Sequence, residues 1–451
     1  MPAEPLTERV ERWALVALSS LVALVSLTCL GRGELIPRNS GAPSAAVPAP
    51  VAPVVPVAPQ APPPAAQELP PVASAAPAAL PDPTRLELKR FYAALAELEG
   101  HKRKAPVRIL WLGDSHTAAD YLTGTIRANL QQRFGAGGPG FVRIGTNPYR
   151  HTQVTVVREG EWRVEPNPPS KRSQQDDGVF GLGGMRVTPA DGARASFEPK
   201  KGTLHGAAHF QLWFSLPEGA SFRVELAGAS QVVRKDSPVE TIAGSPIARL
   251  NLSGGPTDKL ELVALGGAPR FYGLTVEGSE PGLVLDTIGI DGARVATPLA
   301  WASAPFAAEV AARAPELFVF AFGTNEAFDA DKVEKYRGEY RALLERVRQG
   351  APNADCLLVG PPDALSTSGG SEPRVTEIDT LQRSAAAEFG CGYVSQLELM
   401  GGAGSFERWL HEKPARARPD RLHLTPKGYE TLGSSLVSLL MKAYERRSTA
   451  Q

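Results

Sequence analysis

Ser115 is the first residue whose surroundings suggest chemistry. The apolar run VRILWL at 107–112 leads into Gly113-Asp114-Ser115-His116, and an amphipathic stretch follows from Thr117 to Phe134. A buried strand, a tight turn and a helix in that order put the serine at the carboxyl edge of a parallel sheet, where open α/β folds place their sites. Its Oγ then lies beside free amides and the positive end of a helix dipole, which suit an oxyanion better than a neutral oxygen. A serine hydroxyl attacks well only when a positioned base takes its proton. The best base is His423, in Asp420-Arg421-Leu422-His423-Leu424-Thr425-Pro426. Thr425 reads as an N-cap and Pro426 as the first helical residue. Asp420 is close enough in sequence to reach back to Nδ1 and hold the tautomer that turns Nε2 towards Ser115. The chemistry such a trio performs is acyl transfer through a serine ester. Each piece alone is weak, since a serine after Gly-Asp commonly marks a turn and Asp-x-x-His arises by chance.

The elements that must carry these residues follow the same logic. Before the serine strand, DPTRLELKRFYAALAELE (82–99) spaces Leu86, Leu88, Phe91, Leu95 and Leu98 as one face of a helix, with Asp82 or Thr84 as its cap. From 141 to 282 the texture changes to short alternating stretches, among them 208–216, 221–226, 259–265 and 271–276, separated by turn clusters. That reads as a β-sandwich insertion. Short continuous apolar runs at 283–290, 317–322, 356–359 and 393–394, with helical stretches at 332–349, 375–389 and 426–444, then resume an α/β rhythm. The sheet begun before the insertion is completed after it.

In chain order, Gly113-Asp114-Ser115, then Gly292 in Gly289-Ile290-Asp291-Gly292-Ala293, then Gly323-Thr324-Asn325-Glu326, then Asp420-x-x-His423 resemble the four blocks of the SGNH/GDSL hydrolase family. The G-x-S-x-G elbow of the α/β-hydrolases is absent. The resemblance implies a three-layer, flavodoxin-like parallel sheet and assigns Ser115 as nucleophile, His423 as base and Asp420 as its partner. It also implies an oxyanion hole made of the Ser115 amide, the Gly292 amide and the Asn325 side chain. Asn325 offers two uncharged amide donors, and glycine lets backbone approach a substrate closely. Asp291 before Gly292 departs from the pattern, where Asn is the expected residue. Within the family the chain looks most like the peptidoglycan O-acetylesterases, in which a carbohydrate-binding-like β-module is inserted between the first two blocks; the likeness runs from Leu86 to Tyr444. It implies an esterase removing O-acetyl groups from a cell-wall glycan, with no cofactor and no metal. The alternatives are a polysaccharide O-acetyltransferase with the same triad and a non-catalytic glycan-binding protein.

Other candidates carry blander readings. His205 and His209 lie in a β-reading segment without a neighbouring carboxylate or cysteine, so they read as sheet histidines. His116 is poorly placed as a base, and Asp114 reads as a partner of local backbone amides. Trp162, Trp213, Trp301 and Trp409 read as core before sugar platforms. Gly181-Leu182-Gly183-Gly184 is a turn without the Lys of a phosphate loop. Asp363, after Pro361-Pro362, is a candidate for the cleft wall. Lys plus Arg equals Asp plus Glu at 48 each, so there is no basic footprint for nucleic acid. Three cysteines make no disulfide scaffold and no zinc spacing. Cys356 and Cys391 read as two buried thiols, with pairing as the alternative.

Ahead of all this, residues 13–30 form an uncharged apolar run of 18, flanked by Arg9 and Arg12 before and Arg32 after. That is about the length of a membrane-spanning helix, and no good cleavage site follows it. The expectation is a cytoplasmic tail (1–12), an anchor or signal (13–30) and a Pro/Ala-rich linker (31–83). The hydrolase domain is then split as 84–140 and 283–451 around the 141–282 insertion. The linker favours extended polyproline II and would span on the order of 130 Å from residue 42 to 83. Such a chain is expected to be a monomer in the cell envelope, held in the inner membrane with its catalytic domain in the periplasm, or secreted if the segment is cleaved.

Overall fold

A computed structural model describes residues 86–144, 149–172 and 177–448. The expected tail, anchor and linker, and the helix cap at Asp82 or Thr84, lie outside them. Among the described residues no helix is long and apolar enough to cross a membrane.

Five parallel strands form the central sheet: β1 (Val107–Gly113), β2 (Leu283–Gly289), β3 (Leu317–Ala321), β4 (Asp355–Gly360) and β5 (Gly392–Ser395). Their order is β2-β1-β3-β4-β5. Nearly every strand residue is buried, which is why these segments read as continuous apolar runs. One face packs Ile109, Trp111, Leu285, Val319 and Leu357 against α1 (Lys89–Glu99), α3 (Leu122–Phe134) and α9 (Pro426–Ser448). The other packs Leu110, Leu112, Ile288, Phe318, Phe320 and Leu358 against α4 (Ser303–Arg313), α5 (Val333–Gly350) and α6 (Pro373–Phe389), and two short helices, α7 (Gln396–Met400) and α8 (Ser405–His411), follow β5. The result is an α/β three-layer fold.

Register sets the level of the site. Gly113 at the end of β1 is opposite Gly289 of β2 and Ala321 of β3, so three loops leave the sheet side by side. The chain order switches direction at β1, where doubly wound sheets open a crevice. Both glycines are required by close approach: a Cβ on Gly113 would meet Thr117 Oγ1 at 2.1 Å, and one on Gly289 would meet the Ala118 amide nitrogen at 2.1 Å.

Local readings shift in three places. α1 starts at Lys89, not Asp82; Leu86 and Leu88 are buried in an extended lead-in, and the first amides of the helix are capped by Asp355 Oδ2, at 2.8 Å from Arg90 N and 2.9 Å from Phe91 N. The single helix expected over 117–134 is instead a short turn, α2 (Ser115–Ala118), and α3, with Asp120 between them in a left-handed conformation (φ 51°). The two cysteines are not free thiols: Cys356 and Cys391 form a disulfide that joins the start of β4 to the approach of β5. Adjacent strand ends hold their Cα atoms 4.8 Å apart, within disulfide range.

Between β1 and β2 the described chain forms twelve strands in two antiparallel sheets. The larger sheet includes Ala208–Ser215, Ala248–Gly254 and Arg270–Gly278; the smaller includes Val154–Glu159, Arg194–Pro199, Ser221–Leu226 and Leu260–Gly266. Phe210, Leu212 and Phe271 of the first share one apolar cluster with Phe197, Phe222 and Leu262 of the second. A charged network fastens this region to the central sheet. Glu277 accepts from Arg108 of β1 at 2.7 and 2.9 Å and from Arg313 of α4 at 2.7 Å, while Arg313 forks onto Asp286 of β2 at 2.8 and 2.9 Å.

Candidate active site

Ser115 opens α2 directly after β1. Its turn is capped by Asp114, whose Oδ1 accepts from the His116 amide at 3.0 Å. Ser115 Oγ lies 2.9 Å from His423 Nε2. His423 Nδ1 lies 3.0 Å from Asp420 Oδ2. Residues 308 positions apart are thus brought within one hydrogen bond. Asp420 also shapes its own loop, with Oδ1 accepting from the amides of Leu422 at 3.1 Å and His423 at 2.8 Å. Burial opposes ionisation of Asp420, but these hydrogen bonds outweigh it and hold the carboxyl below its ordinary range. Thr425 Oγ1 accepts from the Gly428 amide at 3.2 Å and Pro426 begins α9, so the helix start that carries His423 is the one its sequence signals.

The Gly292 and Asn325 loops stand beside this line. Gly292 sits at φ 73°, in the left-handed region. Asn325 Nδ2 donates to Ala293 O at 2.9 Å, which leaves its second amide hydrogen to point elsewhere. Glu326 is fully buried and stitches the two loops, accepting from Val295 N at 2.8 Å and from Gly323 N at 3.0 Å. Burial disfavours the ionised Asp114 carboxyl more than the Thr324 side chain of the Asn325 loop favours it. Burial pushes the carboxyls of both Asp114 and Glu326 up to about 7. Asp291 is exposed, and its charge adds to the upward push on Asp114.

His116 belongs to the site more closely than its sequence position implies. Its ring centre lies 5.4 Å from that of His423, and its Nδ1 is 2.9 Å from Tyr429 Oη. Burial pushes its pKa down to about 3, so it stays neutral and adds no positive charge against an imidazolium at His423. Asp363 does not line a cleft: it is fully buried, and its Oδ2 accepts from Ser371 Oγ, Ser405 Oγ and Phe406 N. Trp213, Trp301 and Trp409 are core, and Trp162 is half-buried against Phe271. His209 bonds Ser253 Oγ at 2.8 Å.

Two groups had no signal in the sequence. Asp120 is a buried hub that accepts from both Nη atoms of Arg127 and from Thr123, Thr152 and Thr287, fixing the chain between α2 and α3 onto β2. Arg294 forks onto Asp329 at 2.6 Å twice and donates to Gly292 O at 3.0 Å. No periodicity marks either pair; only the fold brings their members together.

A doubly wound parallel sheet with a serine, a histidine and an aspartate in line at its carboxyl edge is the architecture of an α/β acylhydrolase. Residues 266–431 match the GDSL-like lipase/acylhydrolase family. That match takes in β2 to β5 and His423 but starts after Ser115. Among solved structures, a peptidoglycan O-acetylesterase is similar over 79% of this chain and 96% of its own, with a TM-score of 0.67 and 22% identity. At that identity the likeness shows the fold. A lipase/acylhydrolase from Enterococcus faecalis aligns over 36% of this chain and 76% of its own, at 21% identity and a TM-score of 0.28. No curated protein matches the chain by sequence.

Proposed function

We propose that the protein is an exported serine esterase that removes O-acetyl groups from a cell-wall glycan. The observation that carries this reading is the Ser115–His423–Asp420 line at the sheet's carboxyl edge. In the reaction His423 Nε2 takes the Ser115 proton as Oγ attacks the acetyl carbonyl. Asp420 holds the ring and stabilises the imidazolium. The tetrahedral oxyanion is received by the Ser115 amide, the Gly292 amide and the Asn325 side chain. His423 then returns the proton to the departing sugar hydroxyl, and water repeats the sequence on the acetyl-serine, releasing acetate.

Several features favour this substrate and place. The fold likeness to a peptidoglycan O-acetylesterase covers 79% of this chain, more than the two hydrolase segments alone would fill. We read that insertion as a carbohydrate-binding-like module that holds the polymer near the serine. The apolar segment 13–30, the Pro/Ala-rich linker and the Cys356–Cys391 disulfide all suit a membrane-tethered protein facing an oxidising compartment, which we read as a monomer.

The test is acetate release from O-acetylated peptidoglycan, with base-treated peptidoglycan as control. The wild-type protein is expected to release acetate only from the acetylated polymer, and Ser115→Ala to fall at least 10³-fold, to the residual rate left by binding and the oxyanion donors. Acetate that moves to an added glycan acceptor instead of to water would make the protein a transferase. A Ser115→Ala variant as active as wild type would remove the esterase reading altogether.

A further inference from the structure

We infer that Arg294 is a positioning residue for the oxyanion hole, locked by Asp329 and completed by Arg172 from the inserted region. This rests on the esterase reading above. Arg294 touches both loops assigned to the oxyanion: Nη1 donates to Gly292 O at 3.0 Å, and Nη2 reaches Asn325 O at 3.5 Å. The same guanidinium forks onto Asp329, Nε to Oδ2 and Nη2 to Oδ1, each at 2.6 Å. Asp329 in turn accepts from Arg172 Nη1 at 3.3 Å and from Tyr336 Oη at 3.4 Å. The Arg294 amide donates to Thr297 Oγ1 at 3.0 Å, and that hydroxyl donates to Ser170 O at 3.3 Å. The 170–172 segment therefore rests on the Gly292 turn: a Cβ on Gly292 would lie 3.4 Å from Ser170 Oγ.

The arrangement answers a need. Gly292 lies in a turn with a left-handed backbone, and glycine is the residue with most conformational freedom to lose. An oxyanion donor works only when it is already in place as charge develops, and a misplacement of about 1 Å costs on the order of a hundredfold. A planar guanidinium can bind a carboxylate with one edge and carbonyls with the rest, which an ammonium cannot do with the same geometry. The Arg294 and Asp329 side chains are only 22% and 12% exposed, so water screens the pair little. Burial opposes ionisation of Asp329, but the bonds from Arg294 prevail and keep its carboxyl below its ordinary range. Arg172 extends the clamp into the β-rich insertion, between its strands Trp162–Glu165 and Arg186–Pro189, so the insertion helps to set the site it flanks.

The experiment compares steady-state kinetics on p-nitrophenyl acetate for the wild type, Arg294→Ala, Arg294→Lys and Arg172→Ala, with thermal melts of each. The expected result is a kcat loss of about a hundredfold in both Arg294 variants, with KM within twofold and melting unchanged, and a loss of about tenfold in Arg172→Ala. If the alanine variant does not fold, the lysine variant carries the test. A folded Arg294→Lys with wild-type kcat, or a kcat loss matched by a rise in KM or by early melting, overturns the inference alone. An inert wild type overturns it together with the esterase reading.

Discussion

Asn325 has two amide hydrogens and, among the described residues, one protein acceptor, the Ala293 carbonyl; in the proposed reaction the other N–H meets the developing charge. Removing it should be felt in the transition state and little in substrate binding. Asn325→Ala is expected to lower kcat by 10²–10³, about 2.7–4 kcal/mol, with KM close to wild type; initial-rate kinetics on a small acetyl ester check this. The neutral His116 beside the base has a related consequence. A permanent positive charge there would oppose the imidazolium that His423 must become, so His116→Lys should slow acylation even where the protein folds normally.

At the scale of elements, α4 presents buried charged residues to its neighbours. Glu309 is fully buried on α4 and accepts from Ser245 Oγ of the insertion at 3.0 Å. Burial pushes its carboxyl from 4.5 up to about 8. A raised acid favours the folded state while protonated, so its contribution is intact below pH 4.5 and is lost as pH rises through about 8. The slope is at most about 1.4 kcal/mol for each pH unit in that window. Glu309→Gln should flatten it and leave the protein more stable than wild type above pH 8, as urea midpoints across pH would record. The same helix explains part of what the sequence could not disclose. Strands β1 to β5 were legible as apolar runs because both their faces are buried, and the meeting of Ser115 with His423 was legible from their order along them. α4 was missed because Glu309 and Arg313 interrupt its apolar face, and their partners come from other parts of the chain: Ser245 donates to Glu309, and Arg313 pairs with Asp286 and Glu277. The true start of α1 was hidden for a like reason: its cap, Asp355, lies 265 residues away. Close-range caps, such as Thr425-Pro426 ahead of α9, survive in a linear reading where a cap from a distant residue does not.

For the whole molecule, the Cys356–Cys391 disulfide closes a loop with a separation of 35. A crosslink of that span restrains the unfolded chain by about 3–4 kcal/mol. Cys391→Ser should lower the unfolding free energy by that order, and added reductant should destabilise wild type but not the variant; guanidinium titrations with and without reductant decide it. The central strand has a further consequence for assembly. β1 pairs with β2 on one side and β3 on the other, and both are synthesised long after it, on the far side of the β-rich segment. Yet that segment brings its own ends together, with Gly140 opposite Val276 and Val142 opposite Leu274. If it folds first, it delivers β2 to β1 across a short gap and spares the chain the entropy of closing a very long loop. The piece that interrupts the catalytic domain would then act as its folding clasp.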